Sequence, residues 1–400
     1  MDKNSKLKVH YLPLFVTIIY PLILFICAFI YSRYFPIGKF EILSVVASYY
    51  AFNISVGVGL HRLWAHNTFK TKKWVEFVLA CLTAGTLQGP ILAWASDHMM
   101  HHRYTDQNLD PHTALKYKNK FLGFIWSHIG WMIFSDQRQK KIDKIALIKL
   151  GRNKIVLWQF KNYWKIAIFM NTILPFFIGY SVGGSLKCAV SCFLFIGVGR
   201  ALQQQATFCV NSIVHTNIGS KKYYSGTASD VWWLFFLLLG ENWHNFHHAF
   251  ANDYRNGHKW YHPDIHKWII ALMSKLKIAD ELVVTSNIRI KSIQKQIVQK
   301  NTLILKKKVD LIEIASKSIH MIALDKLRAT EKSAIQFANN FHYNLNVIIE
   351  KAKLIIKCAQ DLKLKSNTDN LEERLILTLL GKYLKLEKAA QKLEIKVTSF

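Results

Sequence analysis

Long stretches of this chain carry no charge at all. Residues Tyr11 to Tyr31 (YLPLFVTIIYPLILFICAFIY) and Ile42 to Leu60 (ILSVVASYYAFNISVGVGL) are wholly uncharged. Each is long enough for a helix to cross a hydrocarbon core of ~30 Å, which takes about 20 residues. Two further apolar runs, 166–184 and 188–208, predict two more spans. In the last of them Arg200, Gln203, Gln204 and Gln205 belong in protein or water rather than lipid. A fifth run, Phe77 to Trp94, is interrupted by Gly85, Gly89 and Pro90 and reads as a helix lying partly in the interface. No small-residue cleavage site follows the first run, and a second run comes almost at once, so the first reads as a retained span rather than a signal peptide. The pattern predicts an all-α integral membrane fold with four transmembrane helices.

Composition agrees. Of 400 residues, 51% are hydrophobic although 20% are charged, and the mean hydropathy is positive, a combination that suits a membrane protein better than soluble domains. The net charge of +28 could suggest nucleic acid. The Lys and Arg residues are instead spread over the N-terminal segment, the loop after His61, the stretch from Arg138 to Lys165 and the C-terminal third, so no nucleic-acid partner is expected. Lys3, Lys6 and Lys8 precede the first run, while the short turn after it carries only Arg33 and Lys39. The positive-inside rule then places both termini and both large polar segments in the cytoplasm. The richness in Lys, Ile and Asn points to a bacterial inner membrane, with the endoplasmic reticulum as the eukaryotic equivalent. The six cysteines show no CxxC spacing and read as small core residues of a reducing compartment.

The candidate chemistry lies in the histidines. Nine of the 17 fall in four clusters: His61 and His66 (HRLWAH), His98, His101 and His102 (HMMHH), His215 with Asn211 (NSIVH), and His244, His247 and His248 (HNFHH). Each cluster follows an apolar run. In an HxxHH box, positions i, i+3 and i+4 lie on one helix face, so their imidazoles can converge on a shared site. His61 and His66, five apart, diverge on an ideal helix, which predicts a helix end or a turn between them. Imidazole suits iron, copper, nickel or zinc. Nine ring nitrogens exceed one ion's needs, so two metal ions are the simplest reading, with Asn211 able to hold a metal-bound water. His10, His112, His128, His258, His262, His266, His320 and His342 read as ordinary surface or core residues. Of the acids in or beside the boxes, Asp97, Asp106, Asp110 and Glu241, we favour Asp97 and Glu241 as carboxylates that orient ligand imidazoles. Because ligands must be neutral, activity and bound metal should fall together below about pH 6.

HRLWAH, WASDHMMHH with the following DPH (Asp110 to His112), SHIGWM (Ser127 to Met132), VNSIVH, and GENWHNFHH with the following DYRNG (Asp253 to Gly257) stand in one order from the first span to about Trp268. In these motifs the chain resembles the membrane fatty acyl desaturases of the stearoyl Δ9 type, and the Asn-Ser-x-x-His element separates that branch from relatives with three boxes. The resemblance implies a four-span bundle under a cytosolic helical cap, two iron ions shared by the nine histidines with Asn211 acting through water, and use of O2. It implies Δ9 desaturation of a C16–C18 acyl thioester in a bent tunnel. By position, Gln88, Trp94 and Thr207 match residues that shape the bend, and Tyr49 and Asn53 match the closed end. Ser96, Met99 and Met100 depart from the Arg, Arg and Ala of animal members, whose basic residues there help hold a coenzyme A headgroup. Coenzyme A, acyl carrier protein and a lipid therefore all remain as carriers. Electrons would come from a ferredoxin, flavodoxin or cytochrome. A hydroxylase on the same scaffold is the alternative reading; a metal transporter would place its histidines inside the spans rather than after them.

Beyond residue 279 the sequence becomes Lys-rich and free of tryptophan. Apolar positions recur at helical spacing at Leu305, Val309 and Ile312 and again at Leu375, Leu379, Leu386 and Leu393. We expect a desaturase-like domain over 1–279 and a helical extension over 280–400.

Overall fold

The computed structural model describes residues 8–135 and 143–327, with isolated positions 343, 346 and 350. It is mostly helical, and four helices are long and apolar enough to cross a membrane: Tyr11–Tyr34, Lys39–Ala65, Lys154–Gly183 and Leu186–His215. Each contains the core of a predicted span. Each also extends beyond it at one end or both, because backbone hydrogen bonding continues through polar residues that hydropathy excludes. The second span packs closely along the fourth. At Gly199 a Cβ would strike the Val45 carbonyl and the Ser48 hydroxyl, so glycine lets the two backbones meet. Glu41, buried at the start of the second span, receives hydrogen bonds from the Tyr31 hydroxyl (3.2 Å), the Ser191 hydroxyl (2.7 Å) and the Gly38 amide (2.9 Å), so this acid is satisfied where lipid could not satisfy it.

The run from Phe77 to Trp94 is not one helix. Lys73–Gly85 and Ile91–Tyr104 are separate helices, joined by a turn in which Leu87 and Gly89 take positive φ (57° and 100°) and Pro90 caps the second helix. The backbone polar groups of this turn are met by side chains of the third and fourth spans. Tyr163 accepts from the Gly89 amide (3.0 Å), Asn171 donates to the Gly85 carbonyl (3.0 Å), and Gln204 donates to the carbonyls of Thr86 and Leu87 (3.4 and 3.3 Å). The turn is therefore enclosed by protein rather than laid on lipid, which is how an irregular backbone persists at membrane depth.

The remaining elements are short. Lys8–Val9 pairs with Phe134–Ser135, and Lys70–Thr71 with Ala279–Asp280, both antiparallel. The largest apolar cluster joins the π-wound end of the second span (Val58, Leu60, Trp64), the two helices around the enclosed turn (Leu79, Ile91, Ala95), and Ile270 and Met273 of the helix Ile265–Lys275.

The chain divides into two compact units, 1–293 and 294–400. Composition placed the change at 279. The segment after it belongs with the first unit because Ala279–Asp280 completes a strand pair and Ile290 is buried with Tyr223, Phe246 and Phe250. The helix Asn287–Leu327 begins within the first unit and carries the backbone of positions 305, 309 and 312 in the second. The expected helical positions at Leu375, Leu379, Leu386 and Leu393 lie outside the described residues, as does His342.

Candidate metal centre

The first pair of histidines is positioned by an unusual winding. From Ser55 to Ala65 the second span is a π-helix, whose i→i+5 hydrogen bonds stack residues five apart on one side. The His66 amide bonds the His61 carbonyl at 3.0 Å, and the two ring centroids lie 4.8 Å apart. The divergence expected on an α-helix is thus removed by the change of winding, with the helix end falling at His66 itself. Gly57 in this segment packs directly beneath the His266 ring, where any Cβ would collide.

The other ligand candidates come from the helix Ile91–Tyr104, the short turn Ile213–His215 that ends the fourth span, and the helix His244–Ala249. That last helix is only six residues long and is held by its neighbours. Asp230 accepts from the Asn245 amide (2.8 Å), while the Asn245 side chain accepts from the Tyr223 amide (2.8 Å) and donates to the carbonyls of Tyr224 and Ala228 (both 2.8 Å).

All nine clustered histidines come together, but not on one site. His61, His66, His98, His102 and His247 form one group, and His101, His215, His244 and His248 form another, with the ligand atoms in each within 4.8 Å of one another. Each HxxHH box is divided: its first and last histidines join one group, and the i+3 histidine, on an adjacent strip of the helix face, joins the other. The expectation of convergence on a shared site is corrected accordingly. The boxes interlock two sites.

The inward atoms are the Nε2 nitrogens. His66 faces His98 at 2.8 Å, His247 faces His102 at 2.9 Å and His61 at 3.0 Å, His244 faces His215 at 3.0 Å and His248 at 3.1 Å, and His101 faces His248 at 3.3 Å. Three of the outward Nδ1 atoms have acceptors. His61 Nδ1 lies 2.8 Å from Glu241 Oε2 and His101 Nδ1 2.9 Å from Asp110 Oδ1. His215 Nδ1 lies 2.8 Å from the Thr227 hydroxyl, which itself donates to Asp106. A proton on Nδ1 leaves a lone pair on Nε2. Lone pairs facing one another at about 3 Å repel unless a cation lies between them, so the donor set fits two bound metal ions.

Burial, reinforced by the neighbouring imidazoles, holds His66, His98, His101, His102, His244, His247 and His248 well below the usual histidine range. They are neutral at physiological pH, as ligation requires.

Glu241 anchors a larger network. It also accepts from Arg62 (3.1 Å), His266 Nδ1 (3.1 Å) and Asn256 (2.7 Å), and Arg62 continues to Asp264 (3.0 Å) and the Tyr254 carbonyl (2.8 Å). Burial pulls the Glu241 carboxyl upward, but His61 and Arg62 outweigh it and hold the group well below the carboxylate range. Asp97, by contrast, makes no hydrogen bond to an imidazole among the described residues, and burial pushes it up to about 7. The carboxylate that accepts from the second box is Asp110. Sequence reasoning passed over Arg62, Asp110, Thr227 and His266 as supports. The signals were an arginine beside the first histidine and the acid of the DPH motif. His112, read as ordinary, stacks on His101 with centroids 4.2 Å apart.

Asn53, Trp94, Thr207 and Asn211 line one small cavity of about 40 Å³ together with His61, His98, Glu241 and the apolar Val56, Val210 and Leu238. Trp94 stacks against His98, centroids 5.0 Å apart. Gln88 lies behind Thr207 (3.4 Å). Tyr49 stands outside the lining, its hydroxyl bonding the Leu237 carbonyl at 2.8 Å beside Asn53, which bonds the same oxygen at 2.9 Å.

Known proteins can be set beside this geometry. The family model described as "Fatty acid desaturase" matches residues 41–279. A probable acyl-CoA desaturase of Schizosaccharomyces pombe is 36% identical over 260 residues, 64% of this chain and 51% of the relative, so the chain spans about half of that protein. The Delta-9 acyl-lipid desaturase 2 of Arabidopsis thaliana is 32% identical over 232 residues, 58% of this chain and 71% of the relative. The sn-1 stearoyl-lipid 9-desaturase of Anabaena variabilis is 31% identical over 236 residues, 57% of this chain and 80% of the relative. With a family match covering more than half its length, and with the nine clustered histidines inside that match gathered into two groups, the chain belongs to the fatty acid desaturase family.

Proposed function

We propose that this protein is a membrane-bound, oxygen-dependent desaturase that places a double bond at the Δ9 position of a C16–C18 acyl thioester. The observation that carries the reading is the pair of histidine groups, one of which contributes His61 and His98 to the wall of a partly apolar cavity. Two iron ions held there would supply, with O2, the oxidising power that no side chain has. The chain's own residues do the rest. Glu241, Asp110 and Thr227 fix the imidazole tautomers; Trp94, Thr207 and Asn53 shape the space in which one carbon–carbon bond is held; the buried surroundings exclude bulk water.

Removing one hydrogen from each of two neighbouring methylenes while one O2 becomes two waters requires two electrons and two protons from outside. A ferredoxin, flavodoxin or cytochrome is the partner class we propose for the electrons. The carrier is the least constrained element, since the relatives are named for coenzyme A and for lipid substrates. Ser96 is buried and accepts from the Asp143 amide (2.7 Å), and Met99 is buried as well. A coenzyme A headgroup would need cations elsewhere.

The test is expression in a cell lacking its own desaturase, with a compatible electron donor, and mass analysis of the membrane fatty acids. A new monoene is expected, and His102→Ala should abolish it. A hydroxy acid in its place would favour the hydroxylase, and no new product from the unaltered chain would sink both.

A further inference from the structure

Arg200 lies within the fourth span, Leu186–His215, and is fully buried. It belongs to neither histidine group and lines no wall of the acyl cavity, so the reaction leaves it without a role. Among the described residues its guanidinium makes one hydrogen bond, a long one from Nη1 to the Gln204 side-chain oxygen (3.4 Å), while Nε and Nη2 have no partner. No carboxylate pairs with it among those residues. Glu41, the carboxylate buried in the second span, already accepts from Tyr31, Ser191 and Gly38. A buried arginine at membrane depth without a counter-charge is costly, and such residues pair or take part in binding.

The groups around the guanidinium donate more than they accept. The Tyr163 oxygen receives the Gly89 amide (3.0 Å), which leaves its own hydrogen to donate. The Tyr20 ring lies against the guanidinium with its centroid 5.1 Å away, and both tyrosine hydroxyls are within electrostatic reach of the charge. Gln204 directs its amide to the carbonyls of Thr86 and Leu87 (3.4 and 3.3 Å), so only its oxygen faces Arg200. A fixed positive charge, the unpartnered N–H groups of Nε and Nη2 and a phenolic O–H, enclosed in protein of low dielectric, make a receptor for one negative charge.

We propose that Arg200 and Tyr163 form an internal binding site for a small inorganic anion, chloride in the cell. The ion would neutralise the guanidinium and accept from Nε, Nη2 and the Tyr163 hydroxyl. A monatomic ion suits a close-packed interior, whereas a carboxylate would bring a chain with it and a phosphate a second charge that nothing there meets. Through Gln204 and Tyr163 the site is continuous with the enclosed turn, whose Gln88 backs Thr207 in the wall of the acyl cavity. The ion would therefore fasten the third and fourth spans to that turn, as a structural ligand independent of the metal centre.

The experiment uses the full-length protein, purified in detergent with gluconate as the anion, and follows the melting temperature as chloride or bromide replaces gluconate at constant ionic strength. The melting temperature should rise saturably with either halide, and anomalous diffraction from crystals grown in bromide should place one ion against Nε and Nη2 of Arg200. Arg200→Gln should abolish the rise. Tyr163→Phe, which keeps the ring and loses one donor to a charged partner, should raise the half-saturating concentration about tenfold; should Arg200→Gln fail to fold, this variant and the bromide position decide the matter. The metal-free protein should respond as the loaded one does. A melting temperature indifferent to halide in the unaltered chain would overturn the proposal, as would a response undiminished in Arg200→Gln or bromide bound only elsewhere. A response that vanishes with the metal would place the halide at the histidines, and a response to laurate alone would give Arg200 to a carboxylate; either result also overturns it.

Discussion

The five-imidazole group takes its support from Glu241, whereas the four-imidazole group takes its support from Asp110 and, through Thr227, from Asp106. Glu241 sits among charged and polar side chains, with Arg62, His266 and Asn256 all directed at it. Asp110 sits in a turn and is held by backbone amides, those of Asp106 and His112, each at 3.1 Å. The electrostatic outcome is opposite. Arg62 and His61 keep Glu241 ionised despite its burial, whereas burial outweighs His112 and raises the Asp110 carboxyl. Two sites with similar ligands are thus held by carboxylates of unequal resistance to acid.

The largest effect should follow from removing the cation that joins the Glu241 network. Arg62 is fully buried between Glu241 and Asp264, so Arg62→Met leaves two carboxylates without their counter-charge. A loss of about 3–5 kcal/mol is expected, read as a lowered melting temperature in detergent, with Arg62→Lys recovering part of it. Next come the two carboxylates themselves. Glu241→Gln should lower metal affinity about 10–100-fold in the five-imidazole group, and Asp110→Asn should do the same in the other. Each variant, loaded with metal at both groups, should therefore fall from two bound ions per chain toward one under a mild chelator. A variant that empties both sites together would break the comparison and show the groups to be one cooperative unit.

Much of this was legible in the sequence. Charge-free runs locate the spans because lipid tolerates little else, and the histidine boxes announce themselves because i, i+3 and i+4 share a helix face. What was hidden depended on things periodicity does not carry. The π-winding that aligns His61 with His66 is a choice of hydrogen-bond partner, and the same residues could have been wound as an α-helix. The division of each box between two groups depends on where the other helices stand. The supports are remote as well: Thr227 and Asp106 are far apart in the chain, and Arg62 meets Glu241 only because the helix His244–Ala249 is held beside the second span. The enclosed turn at 86–90 was misread because its satisfying partners, Tyr163, Asn171 and Gln204, come from other spans.

Acid should separate the two groups. As pH falls, Asp110 takes a proton before Glu241 does, since one carboxyl is raised and the other lowered. His101 then loses its acceptor, so the four-imidazole group should release its metal first. The onset should lie below the pH of about 6 expected from unperturbed imidazoles, because burial holds the ligands lower. Stability follows the same sign. The unfolded chain takes up protons on its histidines below about 6.5, whereas the folded chain holds His112 at about 4. That share of stability is complete above the first value and lost as pH falls toward the second. Iron per chain and melting temperature measured from pH 7.5 to 4 test both, and release in a single step would contradict the unequal supports.

The smallest effect should come from Asp97, and its smallness is informative. Its place in the box WASDHMMHH makes it as plausible a support as Asp110, yet no imidazole bonds it among the described residues, and burial pushes it up to about 7. A carboxyl that is partly neutral near pH 7 supplies little charge to orient a neighbouring ring. Asp97→Asn should accordingly leave the metal content unchanged, and because it removes a carboxyl that burial makes costly to ionise, stability near pH 7 should be unchanged or raised rather than lowered. Thr227→Val, which cuts the relay from His215 to Asp106 without removing a charge, should cost the four-imidazole group about tenfold in affinity. If Asp97→Asn instead lost more iron than Thr227→Val, the contacts around the second box would have to rearrange on metal binding, and Asp97 rather than Asp110 would be its support.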